Sequence, residues 1–145
     1  TGDCIRQFDQ VDISIAVAVK GGLITPVIRN VGAKGLPQIA AESSDLARRA
    51  QAGSLSVDEF QGGTFSISNL GMFGVDQFDA IINLPQAAIL AAGVKKPVVR
   101  GDSIVAATVM RVSLSADHRA IDGAVAAQFL QALKGFLENP ASMLL

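Results

Sequence analysis

The 145-residue chain holds a single cysteine, Cys4, a single histidine, His118, and neither tryptophan nor tyrosine. One cysteine closes no intramolecular disulfide, and one Cys with one His cannot assemble a zinc ligand set or an iron–sulfur cluster, so no metal site is expected. Charge is also scarce. Only 17% of residues are charged, and 12 Lys and Arg against 13 Asp and Glu leave a formal net charge of -1. That balance supplies no basic field for nucleic acid and no polybasic membrane anchor, so neither partner is expected. Apolar runs are broken by Gly, Pro, Asn or Gln before reaching the roughly 18 residues of a membrane-spanning helix, and no charged-then-apolar leader opens the chain. A soluble, intracellular protein is expected. What the chain does have is 50% hydrophobic residues, enough to offset the ordering entropy that keeps polar chains unfolded. At 15.0 kDa it is long enough for one domain and too short for two ordinary ones.

Val11, Ile13, Ile15, Val17 and Val19 alternate with Asp12, Ser14, Ala16, Ala18 and Lys20, the period-two pattern of a strand with one buried face. Gly21-Gly22 permits a tight two-residue turn, and residues 23–28 can return antiparallel. Pro26 cannot donate to a ladder, which puts the return strand near an edge or at a bulge. Leu36, Ile39, Ala40, Ala47 and Ala50 then recur at helical spacing, with Pro37 suited to the first turn, an Asp45–Arg49 i,i+4 pair and Gly53 as the stop. Residues 56–60 should add one turn. Phe65 and Ile67 alternate with Thr64, Ser66 and Ser68, a short strand with both serines on one side. Residues 84–93 read as a buried strand, and residues 104–116 as a long β-branched one. A second helix follows, with Val125, Phe129, Leu130, Leu133, Phe136 and Leu137 on its inner face, Asp122 as its cap and Asn139-Pro140 as its end. The expected architecture is an α+β two-layer sandwich: a mixed, mostly antiparallel sheet with two long helices.

The candidate chemistry gathers in residues 117–123, where four ionisable side chains fall at a strand-to-helix junction, a place where groups can be rigid and exposed together. Two accounts stay open: an exposed loop with a capping aspartate, or His118 as a general base able to take and return a proton near neutral pH. For Ser66 and Ser68, the polar face of a strand is explanation enough, although a hydroxyl flanked by glycine turns could donate to a developing oxyanion. No motif surrounds Cys4 to make it a nucleophile. No Gly-x-Ser-x-Gly elbow, phosphate loop or dinucleotide fingerprint occurs.

Residues 62–74 read GGTFSISNLGMFG and residues 117–123 read DHRAIDG. Together they resemble the acyltransferase core of 2-oxo acid dehydrogenase complexes. Residues 22–30, Lys34-Gly35-Leu36, Glu59-Phe60 and the ending from Leu137 through Leu145 extend the resemblance along the chain. Within that family the NLGMFG and DGAVAAQF stretches look most like the pyruvate branch. The resemblance implies a coenzyme A-dependent acyltransferase fold shared with chloramphenicol acetyltransferase, homotrimers joined into a cage, and a substrate channel at the subunit interface. It also implies an acetyl group passed between coenzyme A and a lipoyl group carried on a separate lipoyl domain, with pyruvate dehydrogenase and dihydrolipoamide dehydrogenase as companion components.

Carried over by position, the resemblance makes His118 the base, Ser68 the oxyanion donor from a neighbouring subunit, and Asp122 the supporting carboxylate. A bacterial cytoplasm or a mitochondrial matrix is the implied location. The family's core is longer than this chain, which starts at Thr1. Residues 1–145 are therefore expected to be one domain, the C-terminal part of such a core, without the lipoyl and subunit-binding domains. Two alternatives stay open: a catalytically inactive structural or component-binding core paralogue, which would be expected to lose the histidine, and an acyltransferase of the same fold for another acyl group or a free small-molecule acceptor, which shares the histidine motif but would not be expected to carry NLGMFG.

Overall fold

The computed structural model describes residues 4–94, 96–100 and 103–144, so Thr1 and Leu145 lie outside the described residues. Strands and helices follow in the order β1 (Ile13–Ile15), β2 (Val17–Val19), β3 (Gly22–Ile24), β4 (Val27–Ile28), α1 (Leu36–Gln51), β5 (Phe65–Asn69), β6 (Ala88–Ala92), β7 (Lys96–Arg100), β8 (Ser103–Val109), β9 (Val112–Ala116) and α2 (Gly123–Glu138).

The alternating stretch at 11–19 forms as expected but is split at Ala16 into β1 and β2. Its register against the return strand is unbroken, with Ile13 on Ile28, Ser14 on Val27, Val17 on Ile24 and Val19 on Gly22. Pro26 causes the split. Ile15 N–H donates to the Pro26 carbonyl at 2.9 Å, and proline has no N–H to return the bond. The return strand ends at the sheet edge, as β4. The turn lies one residue earlier than expected: since Val19 pairs with Gly22, the connection is Lys20-Gly21, and Gly21 takes the positive φ of 89°.

The main sheet has the order β4-β1-β5-β6-β9. Its centre is parallel, β1 on β5 and β5 on β6, and its margins are antiparallel, β4 on β1 and β9 on β6. The β-branched run at 104–116 is likewise two strands. β8 folds back on β7 as a hairpin, and β9 turns into the main sheet. Val27, Ile28, Ile89, Leu90 and Ala91 are buried at the sheet, and Ala50 is the buried residue of α1.

α1 runs for 16 residues with Pro37 in its first turn, and Gly53 follows it at a φ of 67°. It packs against β2 and β4. Residues 57–59 form a single 3-10 turn, closed by a capping box between Ser56 and Glu59. α2 forms where expected, but its apolar side is not buried by the described residues: Val125, Phe129, Phe136 and Leu137 are 51, 43, 47 and 47% exposed. The Phe129 ring meets Phe65 of β5 at 5.8 Å, which fixes the face of the sheet that α2 lies on. That face carries Phe65 and Ile67, with Leu90 and Leu114 level with Ile67 across the ladder. Among the described residues no helix is long and apolar enough to cross a membrane.

Candidate active site

The opposite face of the sheet carries hydroxyls. Directly paired residues point the same way, so Ser14, Ser66 and Ser115 form one row, with Ile89 between the last two. Ser68 and Ser113 flank Ala91 in the next row. Ser66 is not the solvated serine that strand polarity suggests. It is 1% exposed, as is Ser14, and both are tied to Gln86, itself 7% exposed. Ser66 Oγ donates to Gln86 Oε1 at 2.5 Å, and Gln86 Nε2 donates to Ser14 Oγ at 3.0 Å. Gln86 was invisible to motif reasoning. The available signal was a serine at the middle of each of two apolar-alternating strands, which requires a polar partner once buried.

The glycines around β5 are there for close approach. A Cβ on Gly63 would stand 2.0 Å from Ser14 Oγ, and one on Gly71 would stand 2.7 Å from the Gly93 carbonyl oxygen. Asn69 Oδ1 accepts from Gly71 N–H at 2.9 Å, turning the chain directly after Ser68. The segment after that turn crosses the hydroxyl face, where Ser113 Oγ donates to the Phe78 carbonyl and Arg111 pairs with Asp76 at 2.9 Å.

β9 delivers His118 into a loop ahead of α2, as expected. Asp117 N–H donates to the Ala87 carbonyl at 2.8 Å, and the Asp117 carbonyl accepts from Ala120 and Ile121 at 2.9 Å each. The Asp117 carboxylate is held in a fork by Arg119, with contacts of 3.0 Å from the backbone N–H and 2.7 Å from Nη2. Those donors hold its pKa down at about 2. His118 is exposed. Asp122 accepts from Val125 N–H at 2.9 Å and so caps α2, as its position before the helix requires. Among the described residues it makes no hydrogen bond to His118.

Within one chain the candidate residues do not meet. Ala116 pairs with Ala88 at the start of β6, while Ser68 pairs with Ala91 three residues further along. Two strand spacings and three residues put Ser68 and Ala116 on the order of 14 Å apart, and His118 lies two residues beyond the sheet end. A cleft of about 340 Å³ opens beside Ser14, Gly63, Asn83 and Gln86. A larger one of about 450 Å³ lies between α1 and β4, spanned by the ion pairs Lys34–Glu42 and Arg49–Glu59, and none of the candidate residues lines it. Among the described residues no group of three His, Cys, Asp or Glu side chains could hold a metal ion.

The mixed sheet with α2 laid on one face is the fold of an acyltransferase catalytic core. The chain belongs to the family of 2-oxoacid dehydrogenases acyltransferase (catalytic domain), which it matches over residues 1–145. Its relatives make the branch specific. It is 51% identical over 145 residues to the dihydrolipoyllysine-residue acetyltransferase component of the pyruvate dehydrogenase complex of Rickettsia bellii, covering 99% of this chain and 35% of that protein. It is 54% identical over 149 residues to the mitochondrial component of the same name from Schizosaccharomyces pombe, covering 99% and 31%. The chain thus spans about a third of the length of these relatives.

Among solved structures it is similar, at a TM-score of 0.91 and 40% identity, to the Azotobacter vinelandii dihydrolipoamide acetyltransferase, covering 99% of this chain and 60% of that one. The cubic core of the pyruvate dehydrogenase multienzyme complex matches with the same score, identity and coverage. The Azotobacter structure was solved to study a serine, a histidine and an asparagine in the catalytic mechanism, the last two four positions apart. His118 and Asp122 have that spacing.

Proposed function

We propose that this chain is the C-terminal part of an acetyltransferase core that moves an acetyl group between a dihydrolipoyl group and coenzyme A in a pyruvate dehydrogenase complex. His118 is the base, Ser68 the oxyanion donor, and Asp122 the carboxylate that holds the histidine loop at the start of α2. The observation that carries the reading is the separation of Ser68 from the histidine loop. Two motifs of one reaction stand on the order of 14 Å or more apart along a rigid sheet, so the reacting pair is completed by a second copy, as in a homotrimer.

In the direction of acetyl-coenzyme A formation, an imidazole nitrogen of His118 takes the proton of the coenzyme A thiol. That proton passes from sulfur to a ring nitrogen within the encounter, the step a general base performs. The thiolate attacks the thioester carbonyl of the acetyl-lipoyl group, and the hydroxyl of the adjoining copy's serine donates to the oxygen that gains charge. As the tetrahedral species collapses, the carbon–sulfur bond to the lipoyl group breaks and His118 returns its proton to that sulfur. Atoms balance without an acyl-enzyme, and no nucleophilic side chain is required. The partners of the reading are a lipoyl domain and the pyruvate dehydrogenase and dihydrolipoamide dehydrogenase components. Its setting is a bacterial cytoplasm or a mitochondrial matrix.

The test replaces His118 by Ala in a full-length context and measures acetyl transfer from acetyl-dihydrolipoamide to coenzyme A. A loss of about 10²- to 10⁴-fold is expected for removal of a general base. Near-normal turnover would remove the base and the mechanism with it.

A further inference from the structure

Among the described residues, the buried polar side chains are Ser14, Ser66 and Gln86, and Gln86 joins the serine strand to the segment on which the histidine loop hangs. Its side-chain amide takes the hydroxyl of Ser66, two residues before Ser68 on the same face, and gives a hydrogen to Ser14 on the far side of β5. Its backbone N–H donates to Asn83 at 3.0 Å, and the carbonyl of the next residue, Ala87, receives the amide of Asp117 beside His118. One planar amide therefore ties β1 to β5, and the backbone carbonyl of the next residue holds the histidine loop. No buried side-chain polar atom among the described residues lacks a partner, so the network is complete. It is also tightly enclosed, since a Cβ on Gly63 would come within 3.0 Å of Gln86 Nε2.

We infer that Gln86 is a positioning residue for acetyl transfer, setting the level of Ser68 along the sheet relative to the His118 loop. The inference rests on the acyltransferase reading and adds to it a reason for precision inside each chain. When one copy supplies the histidine and the next supplies the serine, the two groups of one site meet only if every copy holds its own serine and histidine at a fixed offset. An error of offset within the chain is repeated at every symmetric site. Backbone ladders hold the register, which moves in steps of about 3.3 Å, but not the finer displacement of about 1 Å that can cost about 100-fold in rate. A rigid amide that ties β1 and β5 to the segment leading into β6 controls that finer displacement. Gln86 touches neither reacting group, so its effect falls on the geometry of the transition state and leaves ground-state binding in place.

The experiment separates positioning from packing with two variants in a full-length context. Gln86→Met keeps the volume and strands the hydroxyls of Ser14 and Ser66. The triple variant Gln86→Met, Ser14→Ala, Ser66→Ala removes the stranded groups as well, which restores stability because an all-apolar replacement leaves nothing unsatisfied. The expected result for the triple variant is a near-native melting temperature with kcat for acetyl transfer down at least 10-fold, an unchanged KM for coenzyme A, and Asp117 amide hydrogen exchange at least 10-fold faster. A triple variant with native kcat and native Asp117 exchange would overturn the inference and leave the acyltransferase reading standing. A wild-type subunit without transfer activity would instead defeat that reading, and the Asp117 exchange rate would still decide whether Gln86 restrains the loop.

Discussion

Gly63→Ala puts a methyl group where the structure has no room for one, and its cost can be worked from the contacts. Gly63 is not among the residues with positive φ, so alanine carries no backbone penalty and the effect is steric. The added carbon would lie 2.0 Å from Ser14 Oγ, 3.3 Å from Ser14 Cβ and 3.0 Å from Gln86 Nε2. Ser14 is 1% exposed and sits within the paired strand β1, so its hydroxyl must rotate away or the β1–β5 pair must part by more than an ångström. Overpacking of this kind costs about 1–3 kcal/mol. Turning Ser14 away strands the buried Gln86 amide, for about 1–3 kcal/mol more. The sum centres on about 4 kcal/mol, and at about 2–4 °C per kcal/mol for a domain of this size the melting temperature falls by about 8–16 °C.

Chemical denaturation read by circular dichroism measures the loss, with two comparisons that isolate its cause. Gly53→Ala meets open space but a φ of 67°, and should cost about 1 kcal/mol from backbone strain alone. Ser14→Ala combined with Gly63→Ala removes the atom struck at 2.0 Å and should recover part of the loss, while the Gln86 N–H stays without an acceptor. If Gly63→Ala unfolds within about 0.5 kcal/mol of wild type, the range of an ordinary surface change, the crowded account of this glycine is wrong. If the double variant is no more stable than the single one, the clash with Ser14 is not its cause.

Mixing subunits tests the shared site. His118→Ala and Ser68→Ala should each be inactive alone, yet co-assembled in equal amounts they should regain about one quarter of wild-type activity, because random neighbours bring an intact histidine to an intact serine in about one site in four. Absence of any recovery in mixed oligomers of native size would place both groups in one copy. The Asp117–Arg119 fork predicts a pH effect of definite sign. The Asp117 carboxyl is held at about 2 from an ordinary 3.8, chiefly by hydrogen bonds from Arg119. A depressed carboxylate contributes stability that is complete above the ordinary value and lost as pH falls from about 4 toward 2. Arg119→Gln should return the Asp117 midpoint, followed by carboxyl-carbon NMR, toward the ordinary range and flatten that acid dependence; a midpoint still near 2 would exclude Arg119 as its source.

Local chemistry was the legible part of the fold. Pro37 and Gly53 bracket α1 because a missing N–H and a positive φ act on one or two residues, and Pro26 marks the edge for the same reason. The parallel centre of the sheet was not legible. β1 finds β5 across a hairpin and α1, and β5 finds β6 across residues 70–87; such pairings are decided by packing between distant segments and leave no period in either one. The run at 104–116 shows the same limit. Its β-branched composition announces strand, but the division into β8 and β9 depends on which neighbour each half pairs with.

The candidate site divides along the same physical line. The His118 loop and its Asp122 cap could be read because a strand, a polar cluster and a helix start are contiguous. Ser66 and Ser68 could be assigned to one face by alternation, but alternation gives no burial, and it is burial that makes Ser66 a bonded member of a network while Ser68 is only half-buried. The apolar side of α2 follows the same logic from the outside. Helical spacing identifies which residues share the stripe, and Phe129 does lie on Phe65, yet spacing carries no information about the surface that covers the rest. The same holds for the two residues proposed to react: each motif can be read by itself, while the distance between them is set by the order of strands, which neither motif encodes.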